Sequence, residues 1–119
     1  MELEKKYRDL YKTWLINPAK ANIPKAEKLK DLQKRGVKAV KKIMNDNCGK
    51  TVLLVGHGGI NRAIIFHYIG LGLNSFWKIK QDNCCINKLV FKDPYPKLLL
   101  LNCTSFLDHK FAHDHNALS

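Results

Sequence analysis

Thr51-Val52-Leu53-Leu54-Val55-Gly56-His57-Gly58-Gly59 is the stretch on which the fold turns. Residues 51–55 are apolar without alternation, the pattern of a strand covered on both faces in a parallel α/β sheet. Gly56-His57-Gly58-Gly59 follows at once, and Ile60 to Ile69 is read as a helix with Ala63, Ile64 and Tyr68 inward. A strand that passes through a histidine into a helix sets His57 at the carboxyl edge of a sheet, where open α/β sheets bind ligands. The open N–H groups and positive dipole end of the helix point to the same place. Gly58 and Gly59 let the backbone approach an oxyanion with no Cβ in the way. An imidazole there donates a hydrogen bond to phosphate or moves a proton near neutral pH. The stretch thus points to His57 as a catalytic side chain and to Gly58 and Gly59 as phosphate-binding positions. The competing interpretation is a glycine-rich turn in which His57 only caps the helix.

Upstream, Leu3, Tyr7, Leu10, Tyr11, Trp14 and Leu15 recur at helical spacing, which predicts an amphipathic helix over 2–15. Asn17-Pro18 ends it, because proline disfavours helix in the residue before it. After a loop carrying Pro18 and Pro24, a second helix is predicted over 25–46, with Leu29, Leu32, Val37, Val40, Ile43 and Met44 as its buried stripe. Gly36 inside it costs about 1 kcal/mol relative to alanine. Asn47-Cys48-Gly49 is the stop signal, and Gly70-Leu71-Gly72-Leu73 closes the helix after His57. Residues 85–92 alternate, with Ile86, Leu89 and Phe91 apolar, and 97–102 is a leucine run. Asp93-Pro94-Tyr95-Pro96 between them is turn chemistry, so the two are predicted to form an antiparallel hairpin. The expected order is helix, helix, strand, helix, strand, strand. That makes an α/β fold, an incomplete three-layer αβα sandwich in which the central strand lacks neighbours.

The chain has 119 residues, 45% of them hydrophobic and 26% charged, which bounds it to one domain of ordinary globular composition. No apolar run of the length of a membrane span occurs, and the first six residues lack the apolar core of a signal peptide. Cys48, Cys84, Cys85 and Cys103 include no CxxC pair, so free thiols in a reducing cytoplasm are expected. The formal charge of +11 is carried by lysines spread over 5–50 and 78–97. Such lysines form a solvated surface or a field that draws anions. Without an aromatic-interleaved basic strand or a helix-turn-helix or zinc spacing, no specific nucleic acid is expected; an anionic metabolite fits better.

Five stretches stand in a telling order and spacing: Tyr11 to Pro18, Glu27 to Leu32, Gly49 to Gly59 with Arg62, Phe76-Trp77-Lys78-Ile79-Lys80-Gln81-Asp82-Asn83, and Leu98 to Asn102. Together they resemble the C-terminal part of the histidine phosphatase superfamily, the phosphoglycerate-mutase-like enzymes. The likeness is strongest to bacterial members related to α-ribazole phosphatase. It implies a phosphomonoesterase without a cofactor or metal, acting on a phosphorylated small molecule. In that family a histidine in an Arg-His-Gly motif attacks phosphorus, two arginines hold the oxygens, an acid protonates the leaving group, and a later histidine stabilises the transferring phosphoryl group. His57 matches the later histidine. No Arg-His-Gly occurs in the chain. The resemblance therefore implies a partial histidine phosphatase domain over 1–107, with a polar tail over 108–119. Alone it would be inactive, and its open strand would favour a homodimer or a complementing N-terminal chain. Gly56 stands where serine is common, Ala26 where glycine precedes the glutamate, and Cys103 and Phe106 also depart from the pattern. The alternative function is a phosphate- or partner-binding module without catalysis.

Arg62 suits a structural role in the helix after His57 better than anion steering. Glu27 suits a helix N-terminus. Gln81-Asp82-Asn83 fits a pocket border or a turn equally well. His109 and His113 have the i, i+4 spacing of metal ligands, but a terminal segment without a further anchoring ligand favours a solvated tail.

Overall fold

The structure, a computed structural model, describes Ala19, residues 27–92 and residues 95–107. The helix predicted over 2–15, the loop with Pro18 and Pro24, and the histidine tail lie outside the described residues. α1 (Leu29–Asp46) forms where apolar side chains recur three and four apart, and it buries Leu29, Gly36, Val37 and Val40. The Lys28 carbonyl accepts the Leu32 N–H at 2.9 Å. Asn47 closes the other end, its Nδ2 donating to the Ile43 carbonyl at 2.8 Å. Gly49 then turns the chain through φ +75°, a conformation that costs glycine little.

α2 (Gly58–Ile69) is mainly apolar, and buries Arg62, Ala63, Ile65 and Phe66. Ile64 and Tyr68, expected inward, are half-buried. α2 packs against α1, and the contact explains Gly36. A β-carbon at Gly36 would lie 2.8 Å from Ile64 Cγ1 and 3.1 Å from Ile60 Cγ1. The propensity cost of a mid-helix glycine therefore permits close approach of the two helices. Gln33 adds a polar tie, its Nε2 donating to the Ala63 carbonyl at 2.8 Å.

A 3-10 helix, Leu73–Lys78, follows the left-handed Gly70 and was not foreseen. Its role is to insert Phe76. Leu29, Ala63, Phe66 and Phe76 make the buried cluster, with Leu32, Leu73, Trp77 and Ile79 packed around it. The Phe66 and Phe76 rings sit 6.1 Å apart at a tilt of 58°, an arrangement that aromatic pairs favour.

β1 (Ile86–Val90) and β2 (Lys97–Cys103) form the predicted antiparallel hairpin. Ile86 pairs with Cys103 and Val90 with Lys97, and the register slips on each side of Lys88. Tyr68 meets Phe91 edge-on at 4.9 Å, which ties α2 to the hairpin.

The stretch 51–55 departs from expectation. It forms no ladder among the described residues, and Leu53 and Val55 are 84% and 93% exposed. A strand is defined by its partners, and the described hairpin pairs only with itself. Leu99, Leu100 and Leu101 of β2 are exposed as well, so the described architecture is part of an α/β fold with uncovered apolar surface.

Two outcomes are expected. Gly36→Val forces α1 and α2 apart and lowers the unfolding free energy by about 1–3 kcal/mol, read from the urea midpoint at unchanged slope. Replacing Leu53 and Val55 together by lysine reduces self-association in light scattering and leaves the far-ultraviolet circular dichroism intact.

Candidate functional site

His57 occupies the N-cap of α2 with extended backbone angles, φ −80° and ψ 159°. Its carbonyl accepts the Asn61 N–H at 3.0 Å, the first bond of the helix ladder. The N–H groups of the first turn, at Gly58, Gly59 and Ile60, therefore have no carbonyl one turn behind them. The imidazole makes no capping bond and is exposed. The structure thus brings His57, Gly58 and Gly59 together, and a ring that only capped the helix would bond to a first-turn N–H. A β-carbon built on Gly59 meets nothing within 4 Å, so the approach to this helix end is open.

Asn61 rigidifies the entry to the helix. Its Nδ2 donates to the Gly56 carbonyl at 3.1 Å. Its Oδ1 lies 2.7 Å from where a β-carbon on Gly56 would stand, so glycine at 56 and the folded-back Asn61 belong together.

Arg62 is 1% exposed. Nε donates to the Ile79 carbonyl at 2.9 Å, and the guanidinium carbon lies 4.9 Å from the Phe76 ring centre and 5.0 Å from that of Trp77. Burial lowers its pKa from the ordinary value while nearby Cys85 opposes the shift, but a guanidinium starts so high that it stays charged. Arg62 is thus buried against two aromatic faces and a backbone carbonyl, a setting that suits a structural role.

Gln81 and Asp82 are buried and Asn83 is exposed. Gln81 Nε2 donates to Asn87 Oδ1 at 2.9 Å, and Asn87 Nδ2 donates back to Gln81 Oε1 at 2.7 Å. The Asn102 N–H donates to Asn87 Oδ1 at 2.9 Å. The Asp82 N–H donates to Asn102 Oδ1 at 2.8 Å, and Asn102 Nδ2 donates to Asp82 Oδ2 at 3.0 Å. Lys80 Nζ stands 3.2 Å from Asp82 Oδ1. These residues brace the hairpin to the loop after the 3-10 helix. Asn102 does so at φ +52°, in the left-handed region that asparagine tolerates. The turn reading holds at Asn83 and Cys84, where the Cys85 N–H donates to the Asp82 carbonyl at 3.2 Å, and Gln81 and Asp82 at its entrance carry the bonds to the hairpin. Asn87 and Asn102 were missed as a pair, although asparagines within apolar strands were the available signal.

Glu27 precedes α1 and pairs with Arg35 in two hydrogen bonds of 3.0 and 3.2 Å, which lower its pKa. Among the described residues no group of three or more His, Cys, Asp or Glu could hold a metal ion, and no helix is long and apolar enough to cross a membrane.

The model of the histidine phosphatase superfamily (branch 1) matches residues 1–104. The chain belongs to that superfamily. It is 30% identical over 96 residues to a protein of Hydrogenobacter thermophilus named as a candidate phosphoserine phosphatase, covering 81% of the chain and 47% of that protein. It is 31% identical over 90 residues to the 2-carboxy-D-arabinitol-1-phosphatase of Triticum aestivum, covering 76% of the chain and 18% of that enzyme. A mutant phosphoserine phosphatase of Entamoeba histolytica, solved in complex with phosphoserine, superposes with a TM-score of 0.73 at 20% identity, covering 82% of the chain and 50% of that structure. The chain thus spans about half the length of the bacterial relative and of the solved structure. That likeness carries the fold, part of a phosphoglycerate-mutase-like α/β architecture.

The thiols respond differently to their surroundings. Burial pushes Cys85 up, whereas the hydrogen bond between Cys103 Sγ and Ser105 Oγ, 3.4 Å long, pulls Cys103 down. A raised folded-state value means that Cys85 supports the fold below the ordinary thiol range and loses that contribution as pH rises through the folded value. Alkylation by iodoacetamide, mapped by mass spectrometry from pH 6 to 10, is expected to label Cys103 at lower pH than Cys85. Ser105→Ala should move the Cys103 profile toward alkaline pH; the reverse order of labelling would contradict the placement.

Proposed function

We propose that this chain is the C-terminal part of a phosphomonoesterase that works through a phosphohistidine, with His57 as the histidine that supports the transferring phosphoryl group. The observation that carries this reading is the exposed, uncapped His57 ring beside the open first turn of α2. Both are donors suited to an anion. A phosphoryl group in flight spreads charge over its equatorial oxygens, and charge-assisted hydrogen bonds from His57 with backbone donation from Gly58 and Gly59 stabilise it. The nucleophile, the phosphate-clamping arginines and the acid come from elsewhere, since the 119 residues contain no Arg-His-Gly. Without a nucleophile the covalent route is closed, so the chain alone is inactive. The strand-forming stretch 51–55 gains its ladder from a complementing N-terminal segment or, failing that, from a second copy.

The substrate is a small phosphomonoester in the cytoplasm. The phosphoserine bound to the Entamoeba enzyme and the sugar-acid phosphate named for the wheat relative are both of this kind. The α-ribazole phosphatase-like subtype, suggested by the motif order, belongs to the same substrate class. A second reading, a phosphate-binding module without catalysis, is favoured by the same exposed His57 in a chain of net charge +11.

The test is hydrolysis of p-nitrophenyl phosphate, phosphoserine and α-ribazole phosphate by the purified chain, alone and after fusion to an N-terminal half carrying Arg-His-Gly. No turnover is expected alone. The fusion should turn over, and His57→Ala should lower its kcat by about 10²–10³-fold. Turnover by the chain alone that His57→Ala abolishes would sink the claim of inactivity. A fusion indifferent to His57 would sink its role. If the fusion is inert while phosphate shifts the His57 ring signals in NMR, the binding module prevails.

A further inference from the structure

The lysines of α1 are arranged in a way that helix stability does not explain. Lys30, Lys34, Lys38 and Lys42 follow one another at four-residue intervals, and Lys41 lies beside them. All are exposed; Lys34, Lys38 and Lys42 lie on the side of the helix away from Leu29, Gly36 and Val40, with Asp31 among them, and Lys30 flanks Val37 at the edge of the buried face. Solvated helix faces ordinarily pair glutamate with lysine at this spacing, and like charges at i, i+4 destabilise a helix. Here the stripe contains three successive lysine pairs: 30 with 34, 34 with 38, and 38 with 42. Lys28 and Lys30 also sit at the N-terminal end, where the helix dipole disfavours positive charge. Asp31 is the acidic residue of the first turn, and the last turn holds no basic residue. Arg35 is paired to Glu27, whereas Lys30, Lys34, Lys38 and Lys42 have no carboxylate within ion-pair reach among the described residues.

We infer that the lysine stripe of α1 is a docking surface for the phosphate backbone of a nucleic acid, recognised without regard to sequence. Four cations recur about 6 Å apart along a straight rod, a spacing that suits a linear polyanion rather than a single small anion. The stripe has no aromatic side chain for bases to stack on, so contact is with the backbone alone. A membrane surface fits less well. An interfacial helix inserts its apolar face, and that face of α1 is occupied by α2; among the described residues the exposed large hydrophobic side chains lie at Leu53 or beyond. The surface is separate in sequence from His57, so it stands or falls independently of the phosphatase reading.

The experiment is fluorescence anisotropy of a labelled 20-base-pair duplex titrated with the full chain between 50 and 200 mM salt. Wild-type binding should weaken on the order of hundredfold across that range, a log–log slope of about −4 for four phosphate contacts. The combined Lys30→Gln, Lys34→Gln, Lys38→Gln and Lys42→Gln variant should lose most of that slope and bind duplexes of different sequence equally poorly. Glutamine matches lysine in helix propensity, and circular dichroism verifies the fold. A matching set of lysine-to-arginine changes keeps the charge and should keep the slope, which separates loss of charge from loss of structure. Absence of binding at 50 mM salt, or a glutamine variant with an unchanged slope, would overturn the inference. So would tighter binding to phosphatidylserine vesicles than to the duplex.

Discussion

The described fold hangs on the buried guanidinium of Arg62. A charge taken from water is costly unless its surroundings replace the lost hydration. Here the Ile79 carbonyl takes one N–H at 2.9 Å, and the faces of Phe76 and Trp77 lie within 5.0 Å of the guanidinium carbon. Satisfying Arg62 requires the chain after α2 to turn back on itself. The 3-10 helix does this, and it carries Phe76 into contact with Phe66. One cation thus fixes α2 against the segment that follows it. Lysine could not substitute on the same terms, since it offers a point charge and no planar surface.

From Ile79 the constraint passes to the hairpin through side-chain amides. Gln81, Asn87 and Asn102 exchange hydrogen bonds of 2.7–2.9 Å with one another or with the Asp82 backbone. A two-stranded hairpin is marginal by itself in water, so these bonds and the Tyr68–Phe91 contact give β1 and β2 a fixed seat. At the other end of α2, Asn61 holds Gly56 and leaves the His57 ring exposed. The contrast is physically informative. Donors below the helix end are consumed by structure, while those at its tip are available to a ligand.

Much of this architecture was legible in the residues, and the exceptions have causes. The apolar spacing of 29–44 specifies α1, and the leucine run against an alternating partner specifies the hairpin, because both depend on local periodicity. The helix read over Ile60 to Ile69 was legible from the glycines that flank it, and the structure begins it two residues earlier, at Gly58. The 3-10 helix was not, since Leu73–Lys78 has no repeat and exists to meet Arg62, a contact across 14 residues of sequence between Arg62 and Phe76. Asn87 and Asn102 gave a signal, a polar residue inside each apolar strand, but periodicity cannot tell which two polar residues will pair. The stretch 51–55 failed for the opposite reason. Its composition is that of a central strand, yet strand formation is a property of neighbours, and the described residues supply none.

That last mismatch bears on chemistry as well as folding. The exposed apolar stretch leads directly into His57, so the surface lacking a neighbour and the histidine lacking a partner among the described residues adjoin in the chain. If only the strand were uncovered, an unstable edge would suffice as an explanation. If only the histidine were unpartnered, a solvent-exposed helix cap would suffice. The proposed reading gives both a single cause, a neighbouring segment that covers Leu53 and Val55 and reaches His57 in the same pass. Phosphoryl transfer by way of a phosphohistidine needs two groups on opposite sides of phosphorus, a nucleophile and a stabiliser of the equatorial charge. On the proposed reading, α2 and its glycine entry supply the second group, preorganised by Arg62 and Asn61. The first would arrive with the strand that closes the sheet. Assembly of the fold and assembly of the catalytic pair would then be one event.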